Sequence, residues 1–379
     1  MKAGILFPLS NTYTGIGADF MDGLQTYLKQ QEVFSGISFI KEGIGFGGVE
    51  KEIYLKAEKL LISDDVDVLI AYVDEKVLPV LYPLIQATDK VMLVVNPGAN
   101  YPVNWIAQPN VIHLNLQHAF LCWLTGASAA VSANGHAALA STYYDCGYLH
   151  AAAMVKNFME QGGTIRYNYI NNQVYDAAFD IDQLTVFLSA NADCTNLLCV
   201  FDEKPALLFY QLLQQYTGAK ALHLFVSPMM LASKQLSHPT ANTSYSIEGY
   251  LPWHSETNNA ANVEFVKSCT RPASIFSLLG WETGMILKKI LQRDMATGNS
   301  GDAVIADLKT KTINSPRGVL QLDSETQFYI APVAKYNLKA GADTPEIEWV
   351  SNVEKEWRAF TAVPTEGAVT GWTNTYLCY

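Results

Sequence analysis

Charge is scarce in this sequence: Asp, Glu, Lys and Arg make up 16% of its 379 residues. The charge present leans acidic, with 25 basic against 36 acidic side chains and a net charge of −11. The basic footprint that a phosphate backbone demands is missing, which excludes nucleic acid as a natural partner. Long apolar runs are missing as well. The nearest candidate, residues 119–131, is broken by Thr125, Gly126 and Ser128, and falls short of the roughly 18 residues that span a bilayer. At the start, Met1-Lys2-Ala3 leads into an apolar stretch of only residues 4–7, too short for the apolar region of an export signal. The chain therefore reads as cytoplasmic, or as one that begins at its mature end. Cysteine is sparse and unpaired in pattern. Six residues (Cys122, Cys146, Cys194, Cys199, Cys269, Cys378) contain no CxxC, so no zinc knuckle or thioredoxin-like motif is written here; the even count permits disulfides without establishing any. Seven scattered histidines form neither HExxH nor HxH, and there is no GxSxG elbow. No metal ligand and no catalytic residue is assigned, and no cofactor is called for.

What the sequence has is apolar residues, 49% of the chain, enough to build a packed core and to exclude disorder as the general state. Its length suits two or three domains. Residues 4–7 read as a short buried strand, after which Phe20, Leu24, Tyr27 and Leu28 share a helical face. The alternation continues with a strand at 37–40, a helix carrying Ile53, Ala57, Leu60 and Leu61, a strand at 66–71, a helix at 77–87 and a strand at 91–95. A second series follows His118, with strands at 137–141, 164–170, 196–201 and 221–226 separated by helices at 149–160, 181–190 and 205–216. Continuous apolar strands alternating with amphipathic helices predict parallel sheets covered on both faces, in two topologically similar halves. After a polar loop at 238–246 come residues 248–253, which read as a return segment, and a helix on which Leu279, Ile286 and Ile290 share a face. Residues 318–336 read as a hairpin turning at Asp323-Ser324-Glu325, and the last forty residues as irregular.

Gly43-Ile44-Gly45-Phe46-Gly47-Gly48 is a literal GxGxxG, which would make the chain a nucleotide-binding enzyme if it cradled a pyrophosphate. It follows the second strand rather than the first, and Glu50 and Glu52 would repel a phosphate, so a glycine-rich turn is the better reading. Ligand loops of open α/β sheets lie at the carboxyl ends of strands. Four loops hold that position. Tyr143-Tyr144-Asp145-Cys146-Gly147-Tyr148 combines aromatic surface with polar handles. Residues 72–76 supply Tyr72 and two carboxylates, Asp74 and Glu75, suited to a solute's ammonium or hydroxyl or, equally, to the start of a helix. Asn96-Pro97-Gly98-Ala99-Asn100 offers backbone N–H groups, and residues 202–204 offer Glu203.

In this order along the chain, several stations resemble the type I periplasmic binding proteins of the branched-chain amino acid and amide receptor group. Gly4-Ile5-Leu6-Phe7-Pro8-Leu9-Ser10 with Gly17 looks like that family's opening strand and turn. Residues 64–70 are similar to its third strand, and Asn96-Pro97-Gly98-Ala99-Asn100 resembles its Ser-Pro-Gly-Ala-Thr loop. Gly280-Trp281-Glu282 resembles a Gly-Tyr-Asp-like step, and Ser315-Pro316-Arg317-Gly318 its Pro-Arg-Gly-Pro hairpin. The resemblance covers residues 1 to about 340. It implies an α/β fold of two Rossmann-like lobes, with parallel sheets flanked by helices and joined by three crossover strands. Lobe one would be 1–117 plus 250–325, and lobe two 118–249 plus 326–379. It further implies a cleft that closes on a small polar or amphiphilic solute, amino acid-like or amide-like, and capture rather than catalysis. The protein would be an extracytoplasmic monomer that delivers its solute to the membrane permease of an ABC transporter. A ligand-sensing domain of a signalling receptor would keep the same cleft. The ligand contacts carried over or read from the strand-end loops are Tyr72, Asp74, Glu75, Gly98, Ala99, Asn100, Tyr144, Cys146, Tyr148, Glu203, Met229 and Phe276. Two departures alter the expected ligand: Asp74 and Glu75 stand where small hydroxyl residues hold a carboxylate in amino-acid receptors, and Ser227-Pro228-Met229-Met230 lacks the usual acid for an α-amino group.

Overall fold

The computed structural model describes residues 1–100, 102, 104–132, 135–142, 149–171, 179–218, 221–232, 245–293 and 300–363. The chain opens with β1 (Lys2–Phe7), α1 (Ile16–Gln30), β2 (Ser38–Gly43), α2 (Glu50–Glu58), β3 (Val68–Ala71), α3 (Leu78–Thr88), β4 (Val91–Asn96) and β5 (Val111–Asn115). It continues with α4 (His118–Ser132), β6 (His136–Thr142), α5 (Leu149–Glu160), β7 (Thr164–Asn171), α6 (Asp182–Ala190) and β8 (Asn196–Val200). Then come α7 (Glu203–Leu213), β9 (Leu222–Val226), α8 (Pro228–Leu231) and β10 (Tyr245–Leu251). A third stretch holds α9 (Ala260–Ser268), α10 (Ile275–Leu291), α11 (Gly301–Lys309), β11 (Thr312–Ser315), β12 (Gly318–Leu322) and β13 (Tyr329–Ile330). The described chain ends with β14 (Val333–Leu338), β15 (Glu346–Val350) and α12 (Glu354–Thr361). No helix among the described residues is long and apolar enough to cross a membrane.

These elements gather into two compact units. One contains Met1–Leu116 and Trp253–Pro332, the other Gln117–Pro252 and the described residues from Val333 onward. In the first unit the sheet runs β2-β1-β3-β4-β5, all parallel. In the second it runs β15-β14-β10-β9-β8-β6-β7, where β10 to β7 are parallel and β14 and β15 add an antiparallel edge. Read by order of appearance, both parallel sets have the same 2-1-3-4-5 arrangement. The repeat that the alternating pattern predicts is therefore a repeat of topology, and each sheet has its order reversal where its first strand meets its third. Every residue of β3, β4, β5 and β8 is buried, as strands covered by helices on both faces must be.

Close helix packing follows from glycine in both units. A Cβ at Gly280 on α10 would lie 1.9 Å from the carbonyl oxygen of Phe20 on α1, and one at Gly126 on α4 would lie 2.1 Å from that of Met154 on α5. Only hydrogen fits at either contact. The helix α10 starts cleanly because Ser274 and Ser277 form a reciprocal capping box.

Three expectations need correction. β12 is the middle strand of an antiparallel sheet, with β11 on one side and the short β13 on the other, and the 318–336 hairpin ends with β13; Pro332 follows, and β14 pairs instead with β10 in the second unit. The last forty residues are not irregular throughout, since β15 and α12 lie among them, with Trp357 and Phe360 buried. The strand β5, absent from the expected series, closes the edge of the first sheet.

Candidate functional site

The carboxyl ends of β1, β3 and β4, three adjacent strands, carry loops that hold the buried polar side chains Ser10, Asp74, Glu75 and Asn100. After β3 the chain turns at once into a short helical turn, Glu75–Val77, capped by Asp74, whose Oδ1 accepts from the Lys76 N–H at 3.1 Å. The Asp74 carboxylate also accepts from Asn100 Nδ2 at 2.7 Å. Both residues are buried. Burial pushes the Asp74 carboxyl above its ordinary value of 3.8, and the hydrogen bonds from Lys76 and Asn100 only partly oppose this. The oxygen of the Asn100 amide, Oδ1, is buried with no hydrogen-bond partner among the described residues.

Glu75 goes elsewhere. Its Oε1 lies 3.3 Å from His113 Nδ1 on β5 and accepts from Asn96 Nδ2 at 3.4 Å, while its Oε2 is buried without a partner. The two neighbouring acids thus face different surroundings. Asn96 also ties the loops together, donating to the Val73 carbonyl at 3.1 Å and accepting from the Gly98 N–H at 2.8 Å. One of the expected backbone donors, Gly98, is therefore spent inside its own loop, where its φ of 78° makes the turn. Ala99 is fully buried beside it.

Aromatic surface comes from Tyr13, in the loop after β1, and Phe276, at the start of α10. Their rings meet edge to face at 5.5 Å. Tyr72 is fully buried, with its ring edge-on to Phe20 at 5.4 Å, and belongs to the packing beneath the loops. In the second unit, Met229 is buried on α8, next to the buried Ser227, whose N–H donates to the Cys199 carbonyl. Glu203 begins α7. Tyr144, Cys146 and Tyr148 lie outside the described residues. The glycine-rich segment forms a turn between β2 and α2, with Gly45 and Gly47 at φ of 55° and 73°. No neighbour crowds Gly43 or Gly45, so backbone conformation rather than close approach accounts for the glycine at position 45.

His113, Tyr13 and the side chain of Asn96 were not singled out by sequence reasoning. For His113 the available signal was a polar residue inside the apolar run Val111-Ile112-His113-Leu114, a place where burial obliges a partner.

A family model for periplasmic binding proteins matches residues 2–343. Among solved structures, a solute-binding protein of an ABC transporter from R. palustris, in complex with benzoate, is 20% identical with a TM-score of 0.68, over 93% of this chain and 97% of that one. An ABC transporter substrate-binding protein from Sphaerobacter thermophilus is 16% identical with a TM-score of 0.72, over 93% and 96%. A leucine-binding protein from Thermotoga maritima MSB8 is 14% identical with a TM-score of 0.62, over 94% and 99%. These likenesses concern the fold. No protein with a curated description matches the sequence.

Proposed function

Because the chain belongs to the periplasmic binding protein family, we propose that it is the extracytoplasmic receptor of an ABC transporter, capturing a small solute as a monomer and handing it to a membrane permease. The solute presents hydrogen-bond donors, such as an ammonium, amide or hydroxyl group, and carries an apolar body. The observation that supports this reading is the buried Asp74–Asn100 pair at 2.7 Å, with its unpartnered amide oxygen. Two acceptors at neighbouring strand ends favour a donor on the ligand. The Tyr13–Phe276 pair suits the apolar body. Gly98, Ala99 and the carboxyl end of β4 shape the floor, and in the second unit Glu203, Met229 and the 143–148 loop are the proposed contacts.

A second reading has a specific observation in its favour. Burial raises the Asp74 carboxyl, and a protonated Asp74 would donate to a carboxylate, as an aromatic acid requires; some structural neighbours were solved with benzoates. Calorimetry on ligand-stripped protein separates the two. Benzylamine, benzamide, 4-hydroxybenzoate, benzoate and leucine would be titrated at several pH values. Donor-bearing solutes are expected to bind, and Asn100→Ala to weaken them about tenfold, the effect of one lost buried hydrogen bond. Benzoate binding that is accompanied by proton uptake and strengthens toward acid pH would establish the second reading. Affinity unaltered by both Asp74→Asn and Asn100→Ala would overturn the site.

A further inference from the structure

Glu75 raises a question that solute capture by Asp74 and Asn100 leaves unanswered. Its side chain is 1% exposed, and a buried carboxylate is costly unless its oxygens are matched. Both hydrogen-bond partners, His113 and Asn96, sit on Oε1, and Oε2 has none among the described residues. Glu75 also lines a cavity of ≈ 50 Å³ inside the first unit, together with Tyr82, Trp105, His113, Thr326 and Phe328. The aromatic wall is ordered by its own contacts. Trp105 meets Phe328 edge to face at 5.3 Å, and His113 stacks on the same Phe328 ring at a centroid distance of 4.0 Å and an interplanar angle of 7°.

We propose that this cavity binds a primary ammonium group, the cation resting on Glu75 Oε2 and the faces of the surrounding aromatic rings. A buried carboxylate oxygen without a donor and a set of π-faces is the surrounding that an organic ammonium satisfies, through N–H donation and cation–π attraction together. Hard metal cations fit poorly. They take six or more oxygen ligands, and no group of three metal-ligating side chains occurs among the described residues. Size suits a small cation: one water needs roughly 10–15 Å³ on the same measure, so a cavity of ≈ 50 Å³ admits ammonium or methylammonium. The same chemistry is offered by free ammonium and by the end of a longer amine that leaves its chain outside.

Differential scanning calorimetry with ammonium, methylammonium and n-butylammonium chlorides, against sodium, potassium and tetramethylammonium chlorides at equal ionic strength, tests the site. Ammonium and methylammonium are expected to stabilise the protein saturably, and the three control salts to act only through screening. Equal stabilisation by n-butylammonium identifies the longer amine as the source; its failure identifies the free ion. Glu75→Gln keeps the shape and removes the charge, and is expected to weaken the effect about tenfold or more. Tyr82→Leu, at a half-buried wall position, reports on the aromatic contribution if Glu75→Gln fails to fold. Identical responses to all six salts, or saturation by methylammonium undiminished in both variants, would overturn the site. The solute titrations depend on Asp74 and Asn100, so either proposal can fail alone.

Discussion

Removing one member of the buried Glu282–Arg317 pair should cost the first unit more than any surface change. Arg317 is 2% exposed and Glu282 fully buried. One edge of the guanidinium grips the carboxylate bidentately, Nε to Oε1 at 2.8 Å and Nη2 to Oε2 at 3.0 Å. Nη2 also donates to the Asn115 carbonyl at 3.1 Å, and the Ser315 hydroxyl donates to Glu282 Oε1. The network joins α10, the end of β5 and the β11–β12 turn. Breaking a buried pair by deleting one charge costs about 3–5 kcal/mol, because the other charge stays behind unpaired. For a unit of this size 1 kcal/mol corresponds to about 2–4 °C, so Glu282→Gln should lower the melting of the first unit by roughly 10 °C. Calorimetry is the suitable assay, since it can resolve separate transitions where two units do not unfold as one. The double variant Glu282→Leu with Arg317→Met removes both charges and should recover most of the loss. A shift of under about 2 °C in Glu282→Gln would refute the argument that charge burial governs this contact. A double variant as unstable as the single would locate the stability in the hydrogen-bond geometry instead.

Gly280→Ala places a methyl group 1.9 Å from the Phe20 carbonyl and should cost about 3 kcal/mol or more in denaturant titration, since backbone rather than a movable side chain is in the way; a loss under about 1 kcal/mol would mean α1 and α10 slide apart readily. Asp74 gives a pH signature in ligand-free protein. Its carboxyl is raised by burial above 3.8, so the folded state holds the proton more tightly than the unfolded state. That stability is complete below 3.8 and is lost as pH rises through the folded value. Asp74→Asn should therefore gain on the parent protein with rising pH from that point, and a pH-independent difference between the two would contradict the sign. Trp357→Ala should destabilise the second unit by about 3–5 kcal/mol, because that buried ring packs edge to face on Phe120 at 5.4 Å; an unchanged second-unit transition would show that the contact of α12 with α4 adds nothing to stability.

Periodicity reads covering, not neighbours, and this decides which parts of the fold were visible in the amino acids. The apolar runs at 66–71 and 91–95 announce strands buried on both faces, and β3 and β4 are such strands. Nothing in those runs states that β1 lies between β2 and β3. Apolar residues continue from Phe328 to Tyr336 and extend the apparent hairpin past its true end. Pro332 is the local sign of a break, since it cannot donate to a ladder, and beyond it the chain joins a different sheet. The helix α12 escaped notice because, over Glu354–Thr361, its apolar face rests chiefly on Trp357 and Phe360, three residues apart, too short a pattern to exceed its surroundings.

For the site, residue identity was visible and direction was not. Asp74 and Glu75 are adjacent acids in a strand-end loop, and sequence alone treats them as one acidic feature. Their separation depends on partners far along the chain: Asn100 for Asp74, and Asn96 with His113 for Glu75. The two carboxylates part because Asp74 is the extended cap and Glu75 the first residue of the helical turn, so their side chains leave the backbone in different directions and each side supplies its own donors. The same reasoning gives the two weakest motifs a physical meaning. Gly280-Trp281-Glu282 and Ser315-Pro316-Arg317 are undistinguished as separate strings, yet Glu282 and Arg317 form the buried bidentate pair and Gly280 permits the helix contact beside it. Their spacing along the chain thus reflects one structural requirement: the turn after β11 must return to α10 with a guanidinium in hand, or α10 carries a buried charge with no partner.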